Sequence, residues 1–285
     1  MLEKSALYVV ATPIGNLNDI SLRALNILAK VNLVAAEHIQ NSKHLLAKHA
    51  ITAKMISLHQ HNELVVTDKI IALLAAGESV ALVTDAGTPG ISDPGAVVVK
   101  RVRQQGYAVI PIPGANAAIC ALSAAGIVDP HFLFYGFLPA KSGMRKRELA
   151  GLKSHPYTLI FYEAPHRILD CVTDMIDIFG PQRQLVIARE LTKLFETIHT
   201  ATLQEIRVWL QADTKRQKGE FVLLLTGAEI PDKSQLTEYA KHTLSCLLEE
   251  LPLKQAVKLT AEITNENKNS LYHLALELKT IQNRQ

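Results

Sequence analysis

Short apolar segments alternate with amphipathic segments along the N-terminal part of the chain, and this alternation restricts the possible folds. Apolar runs occur at Leu7–Ala11, Leu33–Ala36 and Val80–Val83. Between them, apolar residues recur at helical spacing, as in Ile20–Lys30 and Val65–Ala76. Short strands that each lead into a helix are typical of a parallel sheet covered by helices. The sequence therefore predicts an α/β fold with a wound sheet.

The alternation breaks once and then resumes, which predicts a second α/β unit. Gly126–Pro130 ends a helical pattern and resembles a connection between domains. In the second unit, the β-branched run Leu194–Leu203 favours an antiparallel strand. After a polar linker at Ile230–Ser234, only helical patterns follow. We predict an α/β domain over 1–125, a second α/β domain over 126–228 and a small C-terminal helical module over 235–285.

The C-terminal module reads as a helix-turn-helix. Leu253–Leu278 contains two amphipathic patterns around a turn at Asn265–Asn269. Lys254, Lys258 and Lys268 are candidates for contact with a nucleic-acid backbone. The alternative interpretation is a small capping bundle with solvated lysines, because helical appendages are a common packing device.

Composition describes a globular chain without a strong charge bias. The sequence is 48% hydrophobic and 20% charged, with a formal net charge of +3. Apolar runs are too short to span a bilayer, and the N-terminus has no signal-peptide layout, so we expect a cytoplasmic protein without membrane partners. One basic cluster is a candidate RNA-binding site, although it could also be a solvated helix face. It consists of Lys141, Arg145, Lys146 and Arg147.

Glycine- and proline-rich loops follow the first, fourth and fifth predicted strands, at Ala11–Asn16, Asp85–Gly95 and Pro111–Ala118. Loops after parallel strands share one edge of a sheet, where ligands bind. Such loops are also ordinary turns, but their shared position favours a small-molecule site. The sequence has neither a Gly-x-Gly-x-x-Gly fingerprint nor a P-loop, which argues against a dinucleotide oxidoreductase and a P-loop nucleotidase.

Histidines provide one possible metal-binding pattern. His59, His61 and Glu63 alternate in the sequence and would face one side of a strand. A fourth ligand is not apparent, so the pattern favours a polar loop, and we expect no metal.

Several long motifs carry a resemblance to a known family. They extend from the N-terminal segment Leu7–Ser21 and the loop Asp85–Gly95 to Phe161–Arg167, Ala188–Lys193 and Lys218–Phe221. In order and over nearly the whole chain, they resemble the ribosomal RNA small subunit methyltransferase I family of the tetrapyrrole-methylase class. The resemblance implies two α/β domains with S-adenosylmethionine in the cleft between them. It also implies a homodimer that methylates the 2′-hydroxyl of a cytidine in the decoding region of small-subunit (16S) ribosomal RNA, with the RNA or its 30S particle as partner.

The resemblance also implies which residues bind the cofactor. Three groups come from the N-terminal loops and one from the second domain: Pro13, Ile14 and Gly15; Asp85, Gly87 and Thr88; Asn116 and Ala117; and Tyr162, Ala188 and Gly219. This chain departs from the family at one segment. Where family members usually read Ala-Glu-Asp-Thr-Arg, it has Ala36-Glu37-His38-Ile39-Gln40.

Methyl transfer from a sulfonium requires mainly an in-line hydroxyl and a nearby base. The candidate bases are Glu37, His61 and Glu163, although Glu163 could instead pair with Arg167 four residues later. Two other functions stay open. One is methylation of a small tetrapyrrole, against which two basic clusters argue: the one described above and a second at Lys215, Arg216 and Lys218. The other is RNA binding in ribosome assembly without catalysis, which the altered segment after Glu37 allows.

Overall fold

The computed structural model describes residues 3–228, 236 and 238–282, with side chains as far as residue 278. The chain divides into two compact units, Met1–Gly227 and Ala228–Gln285. The first unit contains two five-stranded sheets, and the second contains helices. The α/β prediction with a helical C-terminal part is therefore confirmed. The predicted linker Ile230–Ser234 lies outside the described residues.

The first sheet is entirely parallel. Its strands are β1 (Ala6–Val10), β2 (Leu33–Ala36), β3 (Met55–Ser57), β4 (Val80–Val83) and β5 (Ala108–Ile112), in the order β3-β2-β4-β1-β5. The helices between them are α1 (Leu22–Leu28), α2 (Ile39–Lys48), α3 (Glu63–Ala75) and α4 (Ala96–Gln104). The two faces of β1 pack against different helix layers, with Tyr8 toward α1 and α2 and Leu7 toward α3 and α4. Burial on both faces explains why these strands read as continuous apolar runs.

The second sheet is mixed. Its strands are β6 (Phe132–Phe137), β7 (Thr158–Glu163), β8 (Gln184–Arg189), β9 (Thr197–Thr202) and β10 (Phe221–Leu225), in the order β6-β7-β10-β8-β9. Only β6 and β7 pair in parallel, and β9 is antiparallel to β8, as predicted for that segment. One face packs against α6 (Ser142–Gly151), α7 (Ile168–Phe179) and α8 (Leu203–Ala212).

Helix α5 (Ala117–Ala124) covers the other face of the second sheet. Its Ala118 and Ala121 pack against Ile160 of β7 and Leu224 of β10. Small side chains on this face allow a helix that follows a strand of the first sheet to lie close to the second sheet. The two sheets are therefore linked through a shared element.

The structure corrects one predicted RNA-binding residue. Arg145 is 2% exposed, and its Nε donates a 2.7 Å hydrogen bond to Asp174 Oδ2. Residues 145 and 149 are one turn apart on α6, and both point inward, so Arg145 shares the buried face with Leu149. The prediction that Arg145 contacts an RNA phosphate is therefore wrong.

The rest of the basic cluster is mixed. Lys146 Nζ lies 2.6 Å from Asp177 Oδ2, while Lys141 and Arg147 are exposed. The cluster is therefore a structural ion pair at its centre with two exposed cations beside it.

The C-terminal unit contains α9 (Glu238–Glu250), α10 (Leu253–Thr264) and α11 (Lys268–Gln282). The helices share a small apolar core, formed by Ala240, Leu244, Leu248, Ala256, Val257, Leu271 and Ala275. Asn265 ends α10 in the left-handed conformation, with φ of 57°, as helix C-caps often do. The two helices and their turn lie where the sequence predicted a helix-turn-helix. Throughout the described residues, every helix is too short or too polar to cross a lipid bilayer.

Candidate functional site

The three glycine- and proline-rich loops meet at the carboxyl edge of the first sheet. The backbones of Thr12 and Gly87 exchange hydrogen bonds of 2.8 and 3.0 Å, which join the first loop to the second. Thr88 Oγ1 donates a 3.1 Å hydrogen bond to the carbonyl of Ala115, which joins the second loop to the third. The loops meet because β4, β1 and β5 are neighbours in the sheet.

Glycine is required where these loops approach one another. A Cβ added to Gly114 would lie 2.8 Å from the Cβ of Ala11, so no larger residue fits. Gly87 has a φ of +81°, a conformation that favours glycine. The glycine content of the loops therefore reflects close packing and turn geometry at one edge.

The second sheet faces the same edge and closes a cleft. The backbone N–H of Ala118 donates a 3.2 Å hydrogen bond to the Tyr162 hydroxyl, and that of Asn16 donates a 3.1 Å bond to Thr192 Oγ1. A Cβ added to Gly136 of β6 would lie 2.8 Å from Ser92 Oγ. Loops of the first sheet therefore contact strands and loops of the second.

A cavity of about 310 Å³ lies in this cleft, at the lower end of the roughly 300–1,000 Å³ typical of small-molecule sites. Apolar side chains such as Ile91, Phe137 and Leu191 supply much of its wall. The structure brings seven of the predicted cofactor residues to the cavity: Ile14, Gly87, Thr88, Asn116, Ala117, Tyr162 and Ala188. Apolar walls with a few polar groups are suited to a ligand that has both aromatic and polar parts.

Gly15 and Gly219, two glycines that were predicted to bind the cofactor, lie where the two halves of the α/β unit meet. A Cβ added to Gly15 would lie 2.7 Å from Cγ of Lys193, and one added to Gly219 would collide with the side chain of Glu190. Lys193 Nζ in turn lies 2.9 Å from Glu190 Oε1 and 2.7 Å from Glu220 Oε2. These glycines make room for an ion-paired cluster of the second half, against which Gly15 of the first half packs.

Pro13 and Asp85 line a smaller depression next to the cleft. The Asp85 carboxylate is occupied by the start of α2. Its Oδ2 lies 2.7 Å from Nδ1 of His38 and accepts a 2.8 Å hydrogen bond from Asn41 Nδ2, and its Oδ1 accepts one of 3.2 Å from the His38 backbone. The segment Ala36–Gln40 therefore contacts Asp85 through the imidazole and the backbone N–H of His38.

The structure separates the three candidate bases. Glu163 is buried and lines the cavity, but its Oε1 lies 2.7 Å from Arg167 Nη2. Glu37 is half-buried, and its Oε2 accepts a 3.3 Å hydrogen bond from the Asp85 backbone. His61 is exposed and belongs to neither of the two depressions described above.

The alternating set after β3 does not form a metal site. His61 has the ring of His59 beside it, with centroids 5.9 Å apart. Glu63 instead points into the protein, where its Oε1 accepts hydrogen bonds of 2.9 Å from Gly95 and 3.2 Å from Val97. Glu63 therefore caps the first turn of α4, which has no other side-chain cap.

Sequence reasoning missed the carboxylate that faces the cavity from the second loop. Asp93 lines the cavity, and burial, followed by the negative charges of Glu37 and Asp85, raises its pKa to about 7. Across the cleft, burial also raises the pKa of the Tyr162 phenol. The available signal was the position of Asp93 in a glycine- and proline-rich loop, but its neighbours come from other strands.

Comparisons with known proteins agree with this arrangement. Residues 6–207 match the family of Tetrapyrrole (Corrin/Porphyrin) Methylases, and residues 234–279 match the RsmI C-terminal HTH domain. Together the two matches cover both the α/β unit and the helical unit.

Two relatives match almost from end to end. The chain is 47% identical to ribosomal RNA small subunit methyltransferase I of Pseudomonas aeruginosa, over 97% of this chain and 98% of the relative. It is 48% identical to the protein of the same name from Vibrio cholerae, over 95% and 94%.

Solved structures resemble the α/β unit at low sequence identity. Uroporphyrin-III C-methyl transferase from Thermus thermophilus, complexed with S-adenyl homocysteine, matches with a TM-score of 0.55 at 14% identity, over 78% of this chain and 97% of that one. Cobalt precorrin-4 methyltransferase matches with a TM-score of 0.58 at 17% identity, over 78% and 95%. At these identities the likeness shows a common fold.

Proposed function

The chain belongs to the ribosomal RNA small subunit methyltransferase I family, a branch of the tetrapyrrole methylases, and we propose that it methylates ribosomal RNA. The protein transfers a methyl group from S-adenosylmethionine to the ribose 2′-hydroxyl of a cytidine in small-subunit ribosomal RNA. The main support for this proposal is the 47% identity, along 97% of the chain, to a ribosomal RNA small subunit methyltransferase. Methyltransferases named for uroporphyrin-III or cobalt precorrin-4 share the fold at 14–18% identity.

The cavity fits S-adenosylmethionine. Ile14, Ile91 and Leu191 offer apolar surface for the adenine, and Thr88 and Asn116 offer polar groups for the ribose and the amino-acid part. Asp93 and Glu220 provide carboxylates in the same cavity, which suits a positively charged sulfonium. When bound, the sulfonium supplies a methyl group that is already activated for nucleophilic attack. We extend the cofactor site to Pro13, Gly15, Asp85 and Gly219 as residues that shape its walls.

The RNA substrate is supported by exposed cations in both units. Lys141 and Arg147 are exposed beside the cleft-forming sheet, and Lys254 and Lys268 are exposed in the helical unit. A phosphate backbone needs such cations, whereas a small tetrapyrrole does not. We propose that the helical unit recruits the small-subunit particle and takes no part in chemistry, so that a chain ending after Ala228 keeps cofactor binding but loses methylation of the particle.

We also propose that the protein is a cytoplasmic homodimer. Leu22, Leu194 and Phe195 of the α/β unit have exposed fractions of 85%, 89% and 67%. Leu194 and Phe195 are adjacent in the chain, and exposed apolar side chains that group together are candidates for a protein interface. Sedimentation analysis of wild type and Phe195→Asp tests this, because a dimer that uses this surface should dissociate in the variant.

Methylation of isolated particles tests the proposed reaction. Small ribosomal subunits from cells that lack the corresponding methyltransferase are incubated with the protein and S-adenosylmethionine, and their nucleosides are analysed by mass spectrometry. We expect 2′-O-methylcytidine to appear only with the protein. Methylation of a porphyrinoid instead would favour the tetrapyrrole function. Particle binding without methylation of either substrate would favour an assembly protein without catalysis.

A further inference from the structure

We infer that Asp93 is the general base of the reaction, the group that accepts the proton of the attacking ribose hydroxyl. This inference rests on the proposed methylation of a ribose. It assigns a catalytic role to a residue outside the three carboxylate and imidazole candidates that the sequence suggested.

The position of Asp93 supports this role. Asp93 lines the cleft cavity together with Thr88, Asn116 and Tyr162, which lie where the cofactor is proposed to bind. Its carboxylate has no hydrogen bond or ion pair with any residue that the structure describes. An unpaired carboxylate at the wall of a ligand cavity is free to accept a hydrogen bond from a bound hydroxyl.

The loop holds Asp93 in place from both sides. Ser92 has a φ of +64°, a strained conformation for a residue other than glycine. On the other side, Gly95 is anchored by the buried carboxylate of Glu63. Gly136 of β6 packs so closely that a Cβ there would lie 2.8 Å from Ser92 Oγ. The strain is maintained by these contacts, and such strain is characteristic of sites where a side chain must be aimed.

The charges around Asp93 explain its proton affinity. The negative charges of Glu37 and Asp85, which follow strands of the first sheet, act on Asp93, and His38 Nδ1 lies 2.7 Å from Asp85 Oδ2. Across the cleft, the cavity also contains Tyr162, Glu163 and Glu220.

Cations already accompany two of these groups. Glu163 is paired with Arg167, and Glu220 with Lys193. Burial, and after it the negative charges of Glu37 and Asp85, raises the pKa of Asp93 to about 7. A base is most effective when its pKa lies near the working pH.

The other carboxylate candidates differ from Asp93 in their contacts. Glu163 lines the cavity and its Oε2 has no partner among the described residues, but its Oε1 lies 2.7 Å from Arg167 Nη2, so a fixed cation offsets its charge. Glu37 accepts the backbone N–H of Asp85 and is absent from the residues lining the cavity. We assign Glu37 as a positioning residue that raises the proton affinity of Asp93.

The proposed step is a single displacement. The ribose O–H bond breaks and its proton passes to the Asp93 carboxylate, while the ribose oxygen forms a bond to the methyl carbon. The carbon–sulfur bond breaks, and its electron pair stays on sulfur. The products are the 2′-O-methyl ribose, S-adenosylhomocysteine and protonated Asp93, which then releases the proton to solvent.

Asp93→Asn tests the role directly. We expect kcat for particle methylation to fall by about 10²–10⁴-fold, the usual contribution of a general base. Calorimetric affinity for S-adenosylhomocysteine should stay within about threefold, because asparagine keeps the shape of the side chain. Asp170→Asn, on the exposed surface of α7, is the matched control and should keep the wild-type rate. An Asp93→Asn enzyme with wild-type kcat overturns the inference, while an inactive wild type points instead to failure of the proposed function.

A pH series supplies readouts that a structural role would not change. The wild-type kcat should fall below about pH 7, and Glu37→Gln should move that acidic limb to lower pH without abolishing activity. If Glu37→Gln loses activity as completely as Asp93→Asn, Glu37 is the base and the assignment of Asp93 is wrong. Carboxyl ¹³C NMR needs no activity. It should show one aspartate resonance that titrates near pH 7 and is missing in Asp93→Asn, whereas titration of Asp93 near pH 4 overturns the inference.

Discussion

The two halves of the α/β unit place different charges around Asp93 on one side and around Glu163 and Asp174 on the other. In the first half, Asp93 stands near Glu37 and Asp85, all of the same charge. In the second half, Glu163 is 2.7 Å from Arg167, and Asp174 is 2.6 Å from Arg145. A buried charge with a fixed counter-charge stays ionised and holds structure, whereas one among like charges retains a proton near neutral pH. Charge compensation thus separates carboxylates that stabilise the fold from one suited to chemistry.

The largest expected effect on stability comes from breaking the ion pair between Arg145 and Asp174 in the second half. Arg145→Ala leaves Asp174 buried without its main partner, and Lys146 at 3.4 Å compensates only in part. We expect the free energy of unfolding to fall by about 3–5 kcal/mol, measured by urea denaturation. Arg147→Ala, one residue later and exposed, is the control and should change it by less than about 0.5 kcal/mol. Equal effects of the two variants would mean that the Arg145 pair carries no structural weight.

A smaller loss is expected at the compensated carboxylate of the cleft. Glu163→Gln leaves the guanidinium of Arg167 without its counter-charge, and we expect about 2 kcal/mol of destabilisation in urea. Restoring part of that loss with Glu163→Gln/Arg167→Met would show that the pair acts as a unit. The kcat of Glu163→Gln should fall much less than that of Asp93→Asn. A larger fall in kcat for Glu163→Gln than for Asp93→Asn would mean that the ion-paired carboxylate is the one used in chemistry.

Removing the charge of Asp93, which has no ion pair with a described residue, should instead raise the free energy of unfolding at pH values above its pKa. The pKa of Asp93 is raised from 3.8 to about 7 by burial and like charges, so the unfolded chain loses this proton at lower pH than the folded protein. The protein therefore loses stability as the pH rises from about 4 to 7, and Asp93→Asn removes that loss.

Because Asp93 is only partly buried, we expect a modest gain of about 1–2 kcal/mol for Asp93→Asn at pH 8. The gain should vanish near pH 4, which thermal unfolding at several pH values can check. If Asp93→Asn is destabilised at pH 8, the Asp93 carboxylate makes stabilising contacts and does have a compensating partner.

Sequence patterns predicted most of the architecture because hydrophobic periodicity is local. The apolar runs Leu33–Ala36 and Val80–Val83 form strands with those same bounds, and the three loops lie where strand ends were expected. Parallel topology alone brings such loops together, so the ligand edge follows from the order of elements.

The remaining features depend on orientation and on distant partners. Arg145 was expected to contact RNA because it belongs to a run of four cations, but its buried partner Asp174 lies on another helix and leaves no mark in that run. Asp93 acquires its character from Glu37, which is far away in the sequence, and from burial by a second sheet. Neither effect leaves a periodic signal around the residue itself.

The smallest expected effect concerns the exposed cations beside the buried Arg145 pair. Lys141 and Arg147 have no ion pair with a described residue, whereas Lys146 is held by Asp177 at 2.6 Å. If the two exposed cations contact phosphates, Lys141→Ala/Arg147→Ala should reduce the slope of log affinity against log salt by about two units. Fluorescence anisotropy with labelled small-subunit particles at several salt concentrations measures this slope. Lys146→Ala is the matched control and should change it less, because its ammonium is already neutralised. An unchanged slope in the double variant would mean that this surface is ordinary solvated helix, and that RNA is held elsewhere.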